Sequence, residues 1–156
     1  MQQKSDKKIL YIDMDNVLVD FESGVEQLRP TLKLEYEGRL DEVPGIFSLM
    51  NPVEGAIEAY RRLIRHYDVY ILSTAPWHNP GAWSDKVKWV QQYLGTEAYK
   101  RLILTHHKEL NRGDYLIDDR INNGAGEFQG EFLHFGKHYL DWDAVLAYLI
   151  PKHSSE

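Results

Sequence analysis

The sequence contains no cysteine, which excludes disulfide bonds and any metal site built on thiolates. Any metal ion must therefore bind through oxygen or histidine ligands. The sequence also has no long apolar run, and its first residues, MQQKSDKK, are polar, so neither a membrane-spanning helix nor a signal peptide is supported. We therefore expect a cytoplasmic protein with no membrane partner.

Basic residues are in the minority, since 18 Lys and Arg stand against 24 Asp and Glu and give a formal net charge of -6. A surface of this sign repels a long polyanion, so duplex nucleic acid is not an expected partner. The chain has 156 residues, of which 43% are hydrophobic and 27% are charged. These values are typical of one globular domain with a real core.

Short apolar runs predict five buried strands. Amphipathic segments predict helices from Asn51, as N-cap with Pro52 at the first position, from about Ser84 to Leu94, and after Asp141. Strands that alternate with helices predict a mainly parallel sheet in a three-layer, Rossmann-like α/β fold. The predicted strands are residues 9–12, 69–72, 102–104, 115–117 and 132–135.

The links between these elements are unequal in length. Residues 21–50 exceed what a link needs, so we interpret them as a small helical cap inserted after the first strand. Residues 106–114 and 118–131 carry no helical stripe, which predicts loops or single turns there. The predicted catalytic core is therefore residues 9–20 and 51–150, and residues 1–8 and 151–156 are predicted to be flexible ends.

Polar side chains follow four of the predicted strands. Because the carboxyl ends of parallel strands meet at one edge of a sheet, we expect these side chains to lie close together. Clustered carboxylates repel one another unless a cation is present, and an all-oxygen set suits Mg²⁺. The side chains are Asp13 and Asp15 after the first strand, Ser73 and Thr74 after the second, Lys108 after the third, and Asp118 and Asp119 after the fourth.

This set of residues favours phosphoryl transfer, which depends on positioning and charge neutralisation. Asp13 can attack phosphorus and form an acyl phosphate, and Asp15 can act as general acid and then as general base. Lys108 and the two hydroxyls would hold the phosphate. The remaining two carboxylates would hold the metal ion or its waters.

Four segments resemble, in order, the motifs of the haloacid dehalogenase superfamily. DMDNVLVDF resembles the first motif as the 5'(3')-deoxyribonucleotidase branch has it, and ILSTAP, LTHHK and LIDDR resemble the other three. NPVEGAIEA resembles the proline-glycine helix entry of that branch. The resemblance covers roughly residues 9–149 and implies the superfamily's three-layer fold.

The resemblance implies a role for each motif. Asp13 would be the nucleophile and Asp15 the general acid and base. Mg²⁺ would be held by Asp13, by the backbone carbonyl of Asp15 and by the paired acids Asp118 and Asp119. The phosphate would lie against Lys108 and a hydroxyl of the second motif, for which Ser73 is favoured and Thr74 stands beside it.

The resemblance also assigns two aromatic residues to the substrate. Phe21 matches a phenylalanine that packs on the nucleotide base, and Phe47 resembles an aromatic residue of the cap near the sugar. Both could instead fill the seam between cap and core. His78 is a third candidate for substrate binding, with a solvated loop residue as the alternative.

The sequence departs from the branch at several positions. Asn16 stands where glycine is frequent, and asparagine tolerates the left-handed backbone that this turn needs. The cap is short, and the loop after Thr74 offers Trp77 and His78 where a basic residue is usual. Two neighbouring histidines, His106 and His107, are expected to be surface residues rather than metal ligands.

These observations favour a Mg²⁺-dependent phosphomonoester hydrolase that acts on (deoxy)nucleoside monophosphates, as a 5'(3')-nucleotidase does. A sugar phosphate or another small metabolite is the alternative substrate, and a phosphoacceptor or binding module without catalysis is a third hypothesis. Asp15 favours the enzyme, because a base beside the acyl phosphate hastens its hydrolysis. The sequence leaves base, sugar, phosphate position and oligomeric state open.

Overall fold

The computed structural model describes residues 6–150, and its centre is a sheet of five parallel strands. The order across this sheet is β5-β4-β1-β6-β7, and β2 and β3 form a separate antiparallel pair. The predicted parallel α/β fold is confirmed. The strands are β1 (Ile9–Ile12), β2 (Val19–Asp20), β3 (Asn51–Pro52), β4 (Asp68–Ser73), β5 (Leu102–Leu104), β6 (Tyr115–Asp118) and β7 (Glu131–His134).

Five α-helices and several single 3-10 turns connect the strands. The helices are α1 (Phe21–Val25), α2 (Pro30–Glu35), α3 (Ala56–Leu63), α4 (Pro80–Tyr93) and α5 (Trp142–Leu149). The segments without a helical stripe contain only the turns Lys108–Leu110 and Ala125–Glu127, as predicted.

Strand β1 lies in the middle of the sheet and pairs with β4 on one side and β6 on the other. Alternate residues of β1 point to opposite faces. Leu10 and Ile12 are fully buried in a core shared with α3, α4 and α5, and Tyr11 packs on the opposite face with Phe128. Both faces of the sheet are therefore covered, and its carboxyl edge stays free for a site.

The predicted start of the helix at Asn51 is wrong. Asn51 and Pro52 pair with β2, and α3 begins at Ala56 after Gly55, whose φ of 79° only glycine adopts without strain. The local sequence pattern of an N-cap does not show that Asn51 and Pro52 form a short strand instead. Helix α4 begins at Pro80, one turn before the predicted start near Ser84, because proline suits the first turn.

Residues 21–50 contain α1, α2 and the 3-10 turns Leu40–Glu42 and Ile46–Ser48. Apolar side chains of this segment, such as Ile46 and Met50, are buried in the same core as the sheet. Its description as an inserted cap, separate from the catalytic core, stays a prediction. The predicted flexible ends fall largely on residues 1–5 and 151–156, which lie outside the described residues.

Within residues 6–150, no helix has the length and apolar character needed to cross a membrane.

Candidate active site

Three side chains from three strand ends form a buried ion network. Asp13 directly follows β1, Asp118 is the last residue of β6, and Lys108 lies in the turn after β5. The Lys108 ammonium donates to Asp13 Oδ1 at 3.0 Å and to Asp118 Oδ2 at 2.6 Å. All three side chains are at most 8% exposed, so these charges interact with little screening by water.

The carboxylates of this network, with Asp119, form a group that could hold a metal ion. One oxygen of each of Asp13, Asp118 and Asp119 lies within 4.8 Å of the others. Burial and the neighbouring Asp118 raise the pKa of Asp13 to about 7, and burial and Asp13 raise the pKa of Asp119 to about 6. Burial is the largest cause of both shifts and repulsion between the carboxylates is the second, and a divalent cation with oxygen ligands would offset both.

Lys108 remains the cation of the network despite its burial. Burial alone would lower the pKa of Lys108, but the carboxylates of Asp13 and Asp118 outweigh it and raise the pKa. Burial also raises the pKa of Asp118, while Lys108 and the backbone N–H of Arg120, at 3.1 Å, act in the opposite direction. Lys108 is therefore a fixed positive charge beside Asp13.

The turn after β1 carries Asp15 to the wall of the site. Asn16 has a φ of 63°, so the expected left-handed asparagine is confirmed, and the backbone N–H groups of Leu18 and Val19 donate to the carbonyl of Met14. Asp15 is 25% exposed and lies outside the group of three carboxylates that could hold a metal through their side chains.

A second buried lysine, Lys86 of α4, contacts Asp15. Its ammonium lies 3.1 and 3.2 Å from the two Asp15 carboxylate oxygens and 2.9 Å from Ser73 Oγ. Lys86 was not among the residues that the sequence predicted for the site. The available signal was its position on the buried face of α4, four residues after Ala82 and three before Trp89.

The two hydroxyls of the second motif have different surroundings. Ser73 is 1% exposed and accepts from Lys86, whereas Thr74 lies on the wall of the site and donates to the Thr105 carbonyl at 2.7 Å. The structure thus places Thr74, rather than the favoured Ser73, at the cavity surface. Which hydroxyl contacts phosphate stays a prediction.

An open cleft of about 550 Å³ lies between these strand ends and residues 21–50. A smaller cavity beside it reaches Asp13, Lys108 and Asp118. Phe21 and Phe47 both line the cleft, with their rings edge to face at a centroid distance of 5.9 Å. The aromatic wall of the cleft thus stands beside the cavity lined by Asp13, Lys108 and Asp118, which we call the ionic floor of the site.

The cleft also contains residues that the sequence analysis did not assign to the site. Arg120 lines both the cleft and the smaller cavity, and Asp41 and Asn123 line the cleft. The signal for Arg120 was its place directly after the paired acids.

The histidines differ from their expected positions. His106 lines the cleft and packs against the rings of Trp77 and Trp83, so the expectation of two surface histidines holds only for His107. The described lining of the cleft does not include His78, which is exposed.

The chain is similar to a known protein family and to several named proteins. Residues 39–142 match the family described as 5' nucleotidase, deoxy (pyrimidine), cytosolic type C protein. A Vibrio phage KVP40 protein that carries the name of a 5'(3')-deoxyribonucleotidase is 62% identical over 94% of this chain and 87% of its own length. The chain belongs to this nucleotidase family. The predicted resemblance and the predicted enzyme class, phosphoric monoester hydrolase, are therefore confirmed.

A human protein and a solved structure are also similar to this chain. The human 5'(3')-deoxyribonucleotidase, cytosolic type, is 32% identical over 70% of this chain and 69% of its own length. A solved structure, that of a protein named as the HAD-hydrolase YfnB of Bacillus subtilis bound to magnesium, aligns with a TM-score of 0.62 and 13% identity, and covers 94% of this chain and 100% of the other. At that identity the likeness shows the fold alone.

Proposed function

We propose that this protein is a Mg²⁺-dependent phosphatase that releases phosphate from deoxyribonucleoside monophosphates through a phosphoryl group carried on Asp13. The observation that carries this proposal is the buried group of carboxylates beside Lys108, in a cavity next to the cleft that Phe21 and Phe47 line. The names of the relatives support the choice of a nucleotide.

In the first half-reaction, a carboxylate oxygen of Asp13 bonds to phosphorus, and the bond from phosphorus to the nucleoside oxygen breaks. That oxygen keeps the electron pair and takes a proton from the carboxyl group of Asp15. Lys108 lies 3.0 Å from Asp13 Oδ1, where it can offset charge on the phosphoryl oxygens.

In the second half-reaction, the Asp15 carboxylate takes a proton from water, and the water oxygen bonds to phosphorus. The bond between phosphorus and the Asp13 oxygen breaks, which releases inorganic phosphate and restores the carboxylate. Asp15 thus returns to its starting form after each turnover, as a general acid and base must.

The side chains of Asp13, Asp118 and Asp119 would hold Mg²⁺, together with the Asp15 backbone carbonyl that the family resemblance implies. When bound, the ion supplies positive charge that offsets these carboxylates and the phosphate dianion. The raised pKa values of Asp13 and Asp119 support this assignment.

The cleft supports a nucleoside as the group attached to the phosphate. Its volume of about 550 Å³ lies within the ordinary range for small-molecule sites, and Phe21 and Phe47 offer an apolar surface to a base and sugar. Polar side chains of Asp41, Arg120 and Asn123 stand on the same walls. A sugar phosphate remains the alternative, and a cytoplasmic location remains a prediction.

Phosphate release from a panel of nucleotides and sugar phosphates, with Mg²⁺ and with a chelator, tests the proposal. We expect turnover of deoxynucleotides that needs Mg²⁺ and falls at least ~10⁴-fold in Asp13→Asn, because the nucleophile is lost. Preference for sugar phosphates would overturn the substrate, and activity indifferent to chelation would overturn the role of the metal.

A further inference from the structure

Lys86 has no part in the proposed reaction, yet its surroundings are as specific as those of Lys108. Its side chain is fully buried. The ammonium lies near both carboxylate oxygens of Asp15 and the hydroxyl of Ser73, and 4.5 Å from the centre of the Phe47 ring. These partners come from the turn after β1, the end of β4 and residues 21–50.

These partners hold the ammonium in one place. A buried ammonium must be paired and hydrogen-bonded, because its removal from water costs several kcal/mol. The carboxylate and the hydroxyl accept its hydrogen bonds, and the face of the Phe47 ring adds a cation-π contact. The Asp15 carboxylate cannot rotate without breaking two of these contacts.

The position of the pair distinguishes positioning from simple packing. Buried ion pairs often add little to stability compared with apolar residues of the same volume, so stability gives little reason for a lysine here. Asp15 is the exposed member of the pair and lines both the cleft and the cavity at Asp13. The constraint from Lys86 therefore acts on a group that faces substrate.

We propose that Lys86 is a positioning residue that orients the Asp15 carboxylate toward the leaving oxygen and ties it to Phe47 on the cleft wall. This inference rests on the proposed role of Asp15 as general acid and base. Precise placement matters because proton transfer needs heavy atoms within hydrogen-bond distance of each other. Loss of Lys86 should then impair the chemical step more than substrate binding.

The test compares two substrates in Lys86→Met, which keeps the length of the apolar stem. A deoxynucleoside monophosphate has a strongly basic leaving oxygen and needs an acid, whereas p-nitrophenyl phosphate releases a weakly basic phenolate. In single-turnover experiments, we expect the rate of nucleoside release to fall ~100-fold, with the half-saturating nucleotide concentration within about 3-fold of the wild-type value. The rate of p-nitrophenolate release, which reports the first half-reaction alone, should fall less than about 5-fold.

Three further variants serve as controls. Lys88→Met changes an exposed lysine of the same helix and should leave both activities at the wild-type level. Asp15→Asn should show the same selectivity in these release rates, with a larger loss for the nucleotide. In the double variant, Lys86→Met should add little to the loss caused by Asp15→Asn, since both act through one carboxylate.

Equal losses on both esters in Lys86→Met, or wild-type activity, would overturn the inference while Asp15→Asn remains selective. An unselective effect of Asp15→Asn on these release rates would instead overturn the proposed role of Asp15 as general acid, and the Lys86 inference with it. Thermal unfolding shows whether Lys86→Met is folded. If it is not, Lys86→Gln takes its place, with a selectivity in the same direction but a smaller loss, because its amide can still donate to Asp15.

Discussion

The two buried lysines of the site, Lys108 and Lys86, invite comparison. Each donates to one aspartate of the first motif, Lys108 to Asp13 and Lys86 to Asp15, and each is at most 4% exposed. Lys108 stands just after a strand end and also contacts Asp118, a metal-ligand candidate. Lys86 comes from the middle of α4 and also contacts Ser73 and Phe47.

The difference separates two tasks within one site. Lys108 belongs to the ionic floor, where it offsets charge that burial and repulsion leave uncompensated on Asp13. Lys86 lies behind the wall of the cleft, where it contacts the Asp15 carboxylate, which is partly exposed to the cleft. In the proposed reaction, Lys108 offsets the negative charge of the phosphate dianion, and Lys86 fixes the orientation of the Asp15 carboxylate.

The largest effect that separates the two lysines is expected for Lys108→Met. Removal of this cation leaves Asp13 and Asp118 without their shared donor, so kcat should fall ~10³-fold. Unlike the loss in Lys86→Met, this one should be similar for a nucleotide and for p-nitrophenyl phosphate, because both carry the same phosphate. Steady-state kinetics on both esters checks it, and a loss confined to the nucleotide would erase the distinction between floor and wall.

A smaller effect is expected on the aromatic wall. Phe21→Ala removes a ring that lines the cleft, so KM for deoxynucleotides should rise ~10-fold, whereas KM for small esters should change little. Phe132→Ala is a matched control, since Phe132 is also partly buried but packs in the separate cluster around Tyr11 and Leu72. A similar rise in KM for both kinds of ester would show that Phe21 only fills the contact between residues 21–50 and the rest of the domain.

The smallest effect concerns the stability of the metal-free protein. Because burial and the neighbouring Asp118 raise the pKa of Asp13 from its ordinary value of 3.8 to about 7, the folded protein binds more protons than the unfolded chain between these pH values. The free energy of unfolding therefore falls as pH rises through this window. Asp13→Asn lacks this loss, so at pH 8 its Tm should exceed that of the wild type.

A gain of about 1 kcal/mol would raise Tm by about 2–4 °C in a protein of this size. The two proteins should be closest in Tm near pH 4, and Mg²⁺ should narrow the gap at pH 8 by stabilising the wild type. Thermal unfolding in chelator across this pH range measures it, with exposed Asp6→Asn as the control. A lower Tm for Asp13→Asn at pH 8 would contradict the electrostatic account of the floor.

The same contrast explains what the sequence could predict. Asp13, Lys108 and Asp118 follow apolar strands, and parallel pairing brings strand ends to one edge whatever the details of packing. The sequence positions of the apolar runs were therefore enough to predict that these three residues lie at the same edge of the sheet. Because β1 and β6 are neighbours in the sheet, Asp13 lies beside Asp118, and Lys108 reaches both from the turn after β5, which β4 separates from β1.

The wall depends on packing between segments that are distant in the chain. Lys86 reaches Asp15 across 71 positions, and its role appears only when the rotation of α4 about its own axis is known. His106 lines the cleft and contacts the rings of Trp77 and Trp83, which lie about 20 to 30 positions earlier in the chain. Local pattern carries no information on such contacts, which arise from tertiary structure.

The start of α3 teaches a related lesson. Asn and Pro are residue types that are frequent at the start of a helix, yet Asn51 and Pro52 pair with β2, and the helix begins at Ala56 after Gly55. The pairing of β2 with β3 joins the two ends of residues 21–50, and this tertiary contact overrides the local helix propensity of Asn51 and Pro52. The backbone N–H of Asn51 bonds to Ser23 Oγ at 2.8 Å in this arrangement.

The most direct test of the central claim is to trap the phosphoryl group on the protein. The enzyme is mixed with a deoxynucleoside monophosphate and Mg²⁺, quenched in acid within one turnover, and digested for mass spectrometry. We expect one added phosphoryl group on the peptide that contains Asp13, and none when chelator replaces Mg²⁺ or when Asp13 is changed to Asn. A phosphoryl group on any other peptide, or product release without a modified peptide at any time point, would contradict the account.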